Sequence, residues 1–204
     1  MEERVTTKYY LMLDEKKIKE SEKRINIFIQ RGDVILKENG LFVDFFLNNS
    51  RQSFDAAQLL YNVSTNSELK KITGFPEFNG FLWAINSSYY SMFYMVRSLL
   101  EKNRIRIRTD QSIHVLTFDL LIVYFYSTGK IEKQILEEYD EDKNEMSEIL
   151  GKEKAKSLIE DYSSEREKRG RFTYEMGEIA LQNKAKTSLD RARRFNEVLR
   201  KMIQ

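Results

Sequence analysis

The chain has 204 residues, 41% of them hydrophobic and 32% charged, enough apolar material for one sizeable core under a charge-laced surface. Its 34 basic and 32 acidic residues leave a formal charge of only +2, which excludes a global field for nucleic acid and requires any such affinity to be local. With no cysteine and a single histidine, a disulfide framework, a thiolate nucleophile and a multi-histidine zinc site are excluded, so neither metal nor cofactor is expected.

Met1 to Leu13 is too polar for a signal peptide. The longest apolar run, Leu116 to Tyr126, is too short for a bilayer and contains Asp119, so a cytoplasmic chain with no membrane segment is expected. Asp14 to Glu38 reads as a first long helix, with Lys and Glu at i,i+4 spacing and Ile18, Ile25, Ile29 and Val34 as apolar contacts, ended by Gly40. It stands as an N-terminal extension, residues 1–40, to a bundle over residues 41–204. Leu41 to Val63 has the helical period and is a second helix. Ser64 to Asn79 reads as a loop with a Gly74-Phe75-Pro76 turn.

Phe81 to Asn103 is the most apolar helix, and its small and aromatic residues predict close packing on several sides. The basic stretch Lys102 to Arg108 reads as a loop. Ile105 to Ile107 alternates like a strand but is too short to count as one. Asp110 or Ser112 is expected to cap a fourth helix that runs to about Ser127, where Gly129 breaks it. Ile131 to Glu137 is a short helix, Asp140 to Lys143 a loose acidic segment, and Glu145 to Arg169 a charged helix. Gly170 to Gly177 reads as a break before a final helix from Ile179 to Ile203. The expected fold class is all-α, an up-and-down helical bundle of about five to seven helices.

His114, the only histidine, falls in the first turn of the fourth helix, and Arg108 precedes it with five residues between. An imidazole transfers protons near neutral pH and a guanidinium holds phosphate in a fork of donors. Together they are a minimal kit for binding or cleaving a phosphodiester. Cleavage of RNA without metal uses the 2′-hydroxyl as nucleophile and needs a base, an acid for the leaving oxygen and positive charge for the phosphorane. One histidine cannot make both proton transfers at once, whereas two in a symmetric dimer can. Lys102, Arg104 and Arg106 would extend the basic patch along a bound strand, and Ser112 can add a hydrogen bond to phosphate. The bland readings are a structural histidine, a solvated basic loop, and a Tyr89, Tyr90, Phe93 cluster that is core. Arg166, Lys168, Arg169 and Arg171 are read as pairing with Glu165 and Glu167 along a helix face ahead of forming a second phosphate surface.

The run Ser87-Ser88-Tyr89-Tyr90-Ser91-Met92-Phe93-Tyr94, followed by Leu99-Leu100, a basic stretch and a histidine, resembles the HEPN family of small helical bundles. Phe125-Tyr126, then Arg166 to Arg169 before Tyr174, then Ala192-Arg193-Arg194-Phe195 resemble further family elements in the same order. The resemblance spans roughly residues 41–203. It implies a metal-independent endoribonuclease with a composite site across a homodimer, Arg108 and His114 being the catalytic pair. Many members are toxins paired with a minimal nucleotidyltransferase. Others have lost cleavage and bind nucleotides or serve as helper modules. The Arg108-to-His114 spacing fits the family, while Asp110 stands after Thr109 where related chains often follow the basic residue directly with Thr-His. Three functions stay open: an RNA-cleaving enzyme, a non-catalytic module that binds a nucleotide or a nucleotidyltransferase partner, and a dimerisation bundle.

Overall fold

Buried positions run almost without interruption from Ala84 to Glu101, so the helix that carries them is enclosed on all sides. The structure, a computed structural model, describes residues 15–137, 145–174 and 182–204, without the side chains of residue 133 and of residues 135–137, 145–150 and 170–174. In chain order the described elements are α1 (Glu15–Gln30), β1 (Val34–Leu36), α2 (Val43–Thr65), α3 (Ser67–Ile72), α4 (Phe81–Lys102), β2 (Ile105–Ile107), α5 (Ile113–Leu121), α6 (Lys130–Glu137), α7 (Glu145–Tyr174) and α8 (Gln182–Ile203). The enclosed helix is α4, with α2, α5, α7 and α8 around it. The expected all-α class is found as a mostly helical fold, with eight α-helices among the described residues where about five to seven were expected and a small two-stranded ribbon added.

Serines let the backbones of α2 and α4 approach. Ser50 Oγ donates to the Ser91 carbonyl and Ser91 Oγ to the Ser50 carbonyl, both at 2.8 Å. Ser98 Oγ donates to the Val43 carbonyl, and Asn196 Nδ2 of α8 donates to Ser91 Oγ at 2.6 Å. These bonds satisfy hydroxyls that would otherwise be buried at a cost.

The first helix stops at Gln30, not at Glu38. Gly32 takes a left-handed φ of 75°, the Asp33 amide donates to the Phe28 carbonyl, and the Gly32 amide donates to the Ile29 carbonyl. This pair of bonds is a Schellman stop, which glycine allows without a Cβ clash. The chain leaves it as β1, which pairs antiparallel with β2: Val34 opposite Ile107, Ile35 opposite Arg106, Leu36 opposite Ile105. Ile105 to Ile107 is thus a strand, and the basic stretch is no simple loop. Val34, Ile105 and Ile107 are buried, and the two-residue period turns Arg106 the other way.

Other boundaries move too. The expected loop at Ser64 to Asn79 contains α3, whose first amides, those of Glu68 and Leu69, donate to the Asn66 side chain. Ser112, one of the two expected caps, stands at the N-cap of α5, but it is left-handed with φ 54° and its side chain makes no capping bond. After Leu121 the helix widens into a π turn, Ile122–Tyr126, in which the Ser127 amide donates to the Ile122 carbonyl. α7 runs on through Gly170 to Tyr174, so no break begins there. Residues 140–143, 175–177 and 179–181 lie outside the described residues.

α1 and β1 share the main core, to which they contribute Ile25 and Val34. It is tied to α5 by Arg24, whose Nε and Nη2 donate to the buried Asp119 carboxylate at 2.7 and 2.8 Å, with Ser21 Oγ donating to the same group. Among the described residues no helix is long and apolar enough to cross a membrane.

Candidate functional site

Tyr89, Phe93 and Arg97 recur every four residues along α4 and therefore form one stripe. The first turn of α5 lays His114 against that stripe. Its ring lies 4.5 Å from Phe93, 5.6 Å from Tyr89 and 5.9 Å from Tyr90, centroid to centroid. The Tyr89 hydroxyl and His114 Nδ1 share a hydrogen bond of 2.8 Å. Since Nδ1 is engaged, Nε2 is the nitrogen left for chemistry. The ring is half-buried.

α7 closes the cluster. Arg166 and Arg169, three residues apart, point to one side of it. Arg169 lies over the Tyr89 and Tyr90 rings at 5.6 and 5.4 Å, and its Nη2 donates to the Tyr90 hydroxyl at 3.2 Å. Arg166 lies over Phe118 at 4.5 Å, and its buried Nη1 has no hydrogen-bond partner among the described residues. Arg97 sits behind, over Phe46 at 4.6 Å and Phe93 at 6.0 Å. Tyr162 stacks on Tyr89 and completes the aromatic wall.

Burial and then the charges of Arg169, Arg166 and Arg97 push the His114 imidazole from 6.5 down to about 4. It is neutral at physiological pH, with one donor and one acceptor nitrogen. Burial also pushes the Tyr89 and Tyr162 phenols up, so both keep their protons. What results is a neutral base in an electropositive, aromatic setting. Such a site can accept a proton or receive an anion. Arginine forks favour phosphate among anions.

The expected site residues lie in two settings. His114 is in the cluster just described. Arg108, 53% exposed, is held by Glu38, Nη2 donating to Oε1 at 2.6 Å, while its amide donates to the Asp33 carbonyl. Arg106 pairs with Glu101 and Glu38 and covers the Phe42 ring. Arg104 is exposed with a left-handed φ of 61°. Lys102 and Ser112 are exposed, Lys102 beside Asp44, Arg51 and Arg200 at the rim of a surface hollow. The guanidinium groups acting on His114 are therefore those of Arg97, which the sequence did not single out, and of Arg166 and Arg169, which it offered as helix-face pairing ahead of a second phosphate surface. The signals were present: a lone arginine inside the apolar helix, four residues after Phe93, and two arginines at i,i+3 before Tyr174. Lys168 does pair with Glu165, at 2.8 Å. Arg171 has its side chain outside the described residues.

Comparison with protein-family models, with curated protein sequences and with solved structures returns no match to this chain.

Proposed function

We propose that this protein is a HEPN-like, metal-independent endoribonuclease whose phosphodiester site is centred on His114. One observation carries the proposal: the only imidazole of the chain is fixed by Tyr89, is neutral, and stands among three arginine charges. In this reading Nδ1–H donates to the Tyr89 hydroxyl oxygen, which leaves Nε2 unprotonated, and Nε2 takes the proton of a 2′-hydroxyl as that oxygen attacks the adjacent phosphorus. Arg166 and Arg169 stabilise the charge of the phosphorane. The approaching phosphate makes His114 a stronger base, because a nearby negative charge favours imidazolium. Arg108, engaged by Glu38, is left as an outlying backbone contact, together with Lys102, Arg104, Arg106 and Ser112. The leaving 5′-oxygen takes its proton from His114 of a second copy in a homodimer, which acts as the imidazolium that the phosphate charge favours; the family resemblance implies this arrangement.

A second reading is favoured by a specific observation. Tyr89 holds its proton firmly, and His114 alone cannot be both base and acid. A site complete within one chain would bind a nucleotide without turnover, as a module alone or with a nucleotidyltransferase partner. The test is cleavage of a mixed-sequence single-stranded RNA in EDTA, wild type beside His114→Ala. Cleavage by the wild type alone, leaving 2′,3′-cyclic phosphate ends, is the expected result. Equal cleavage by His114→Ala overturns the enzyme reading, and binding of RNA or nucleotide without cleavage moves the function to the module.

A further inference from the structure

Four charged residues are buried among the described residues: Arg97, Glu101, Asp119 and Glu165. Three of them have ionic partners. Glu101 takes Arg106 on both oxygens, Asp119 takes Arg24, and Glu165 takes Lys168 and Arg191. Arg97, 7% exposed, is the exception. Among the described residues no hydrogen bond or ion pair reaches its guanidinium, which meets only the faces of Phe46 and Phe93. Burial pushes the Arg97 guanidinium down; Glu101, one helical turn on, and Asp110 oppose this without an ion pair, and the Glu101 oxygens are bonded by Arg106.

A buried cation without a directly paired carboxylate weakens a fold, and replacing a buried ionic group by an apolar side chain of similar volume is often neutral or stabilising. Ring faces compensate only a part of the lost hydration. The position of Arg97 offers a reason for tolerating this. It lies over the Phe93 ring at 6.0 Å, and the same ring lies 4.5 Å from that of His114, between centroids.

We infer that Arg97 is a positioning residue for a phosphate-bearing ligand: a fixed positive charge that draws the phosphate to the His114 face at the expense of fold stability. This rests on the reading of that face as a phosphate site. The shared chemistry is the phosphate, whether on an RNA backbone or a free nucleotide. Three guanidinium groups around one imidazole exceed what a single carboxylate would balance, and they suit an anion with several charged oxygens.

The test uses the full chain, wild type and Arg97→Met, with inorganic phosphate as the probe. Two quantities are read: the melting temperature without phosphate, and phosphate binding followed by the His114 imidazole resonance, unambiguous because the chain has one histidine. The expected result for Arg97→Met is a melting temperature equal to or above wild type. Phosphate binding weakens by roughly tenfold, the order of one unit charge acting across about 12 Å at an effective dielectric of about 20. A lowered melting temperature overturns the inference by making the charge structural. Unchanged phosphate affinity at equal stability overturns it while the phosphate-site reading survives. No response of the wild-type resonance to phosphate overturns both.

Discussion

His114 and Tyr89 obey one rule in opposite directions. Burial disfavours the charged form of each, so the imidazole is pushed down to about 4 and the phenol up. Tyr89, Arg97, Arg166 and Arg169 are the titratable and charged neighbours that set the imidazole's state, and the three arginines oppose a further positive charge. In the unfolded chain the same imidazole titrates near 6.5. As pH falls through 6.5 the unfolded state takes up a proton that the native state refuses until about 4. The contribution of His114 to stability is therefore fully present above 6.5, declines on acidification and is lost below about 4. Chemical denaturation at a series of pH values checks this. Wild type is expected to lose more stability between those limits than His114→Gln, and parallel curves for the two proteins would contradict it. The imidazole resonance gives the midpoint directly, and a native midpoint near 6.5 would remove the electrostatic account of the cluster.

At the scale of elements, α1 is held to α5 by an ion pair whose two ends differ in burial. The Asp119 side chain is 2% exposed and that of Arg24 43%. Removing Arg24 strands a buried carboxylate, whereas removing Asp119 leaves a guanidinium that turns to water. Arg24→Ala is accordingly expected to cost about 3–5 kcal/mol. Asp119→Ala is expected to cost less, about 1–3 kcal/mol, through the lost hydrogen bonds. Urea denaturation of the two variants decides, and equal or reversed costs would show that α1 docks by its apolar face alone. This docking also explains what the sequence let one see. Helices with strong apolar periods, α2, α4 and α8, were legible to within a few residues, because burial against several neighbours repeats along the chain. The ribbon was not. Each strand is three residues long, and its partner lies about seventy residues away, so no local pattern carries the pairing. Gly32-Asp33 followed by Val34-Ile35-Leu36 did offer a stop and a strand signal, overshadowed by the apolar run that continues past it. In the site, His114 was legible by being unique. Its arginine neighbours were not, because an arginine spaced for helix-face pairing looks the same whether it meets a glutamate or turns into a cluster.

For the molecule as a whole, a charge of +2 leaves affinity for a polyanion to local arrangement. Two arrangements compete: the ribbon arginines, largely neutralised by Glu38 and Glu101, and the α4 and α7 arginines gathered at His114. The proposed enzyme further requires a second copy to supply the acid, so cleavage per chain should fall on dilution below the dimer dissociation constant. The most direct measurement of the central claim sets Arg169→Ala beside Arg108→Ala in the EDTA cleavage assay with single-stranded RNA. The expected loss for Arg169→Ala is roughly 100-fold or more, the order seen when a group stabilising transition-state charge is removed, while Arg108→Ala stays within a few-fold of wild type. Loss of cleavage in Arg108→Ala with full activity in Arg169→Ala would place the chemistry on the ribbon and contradict the account.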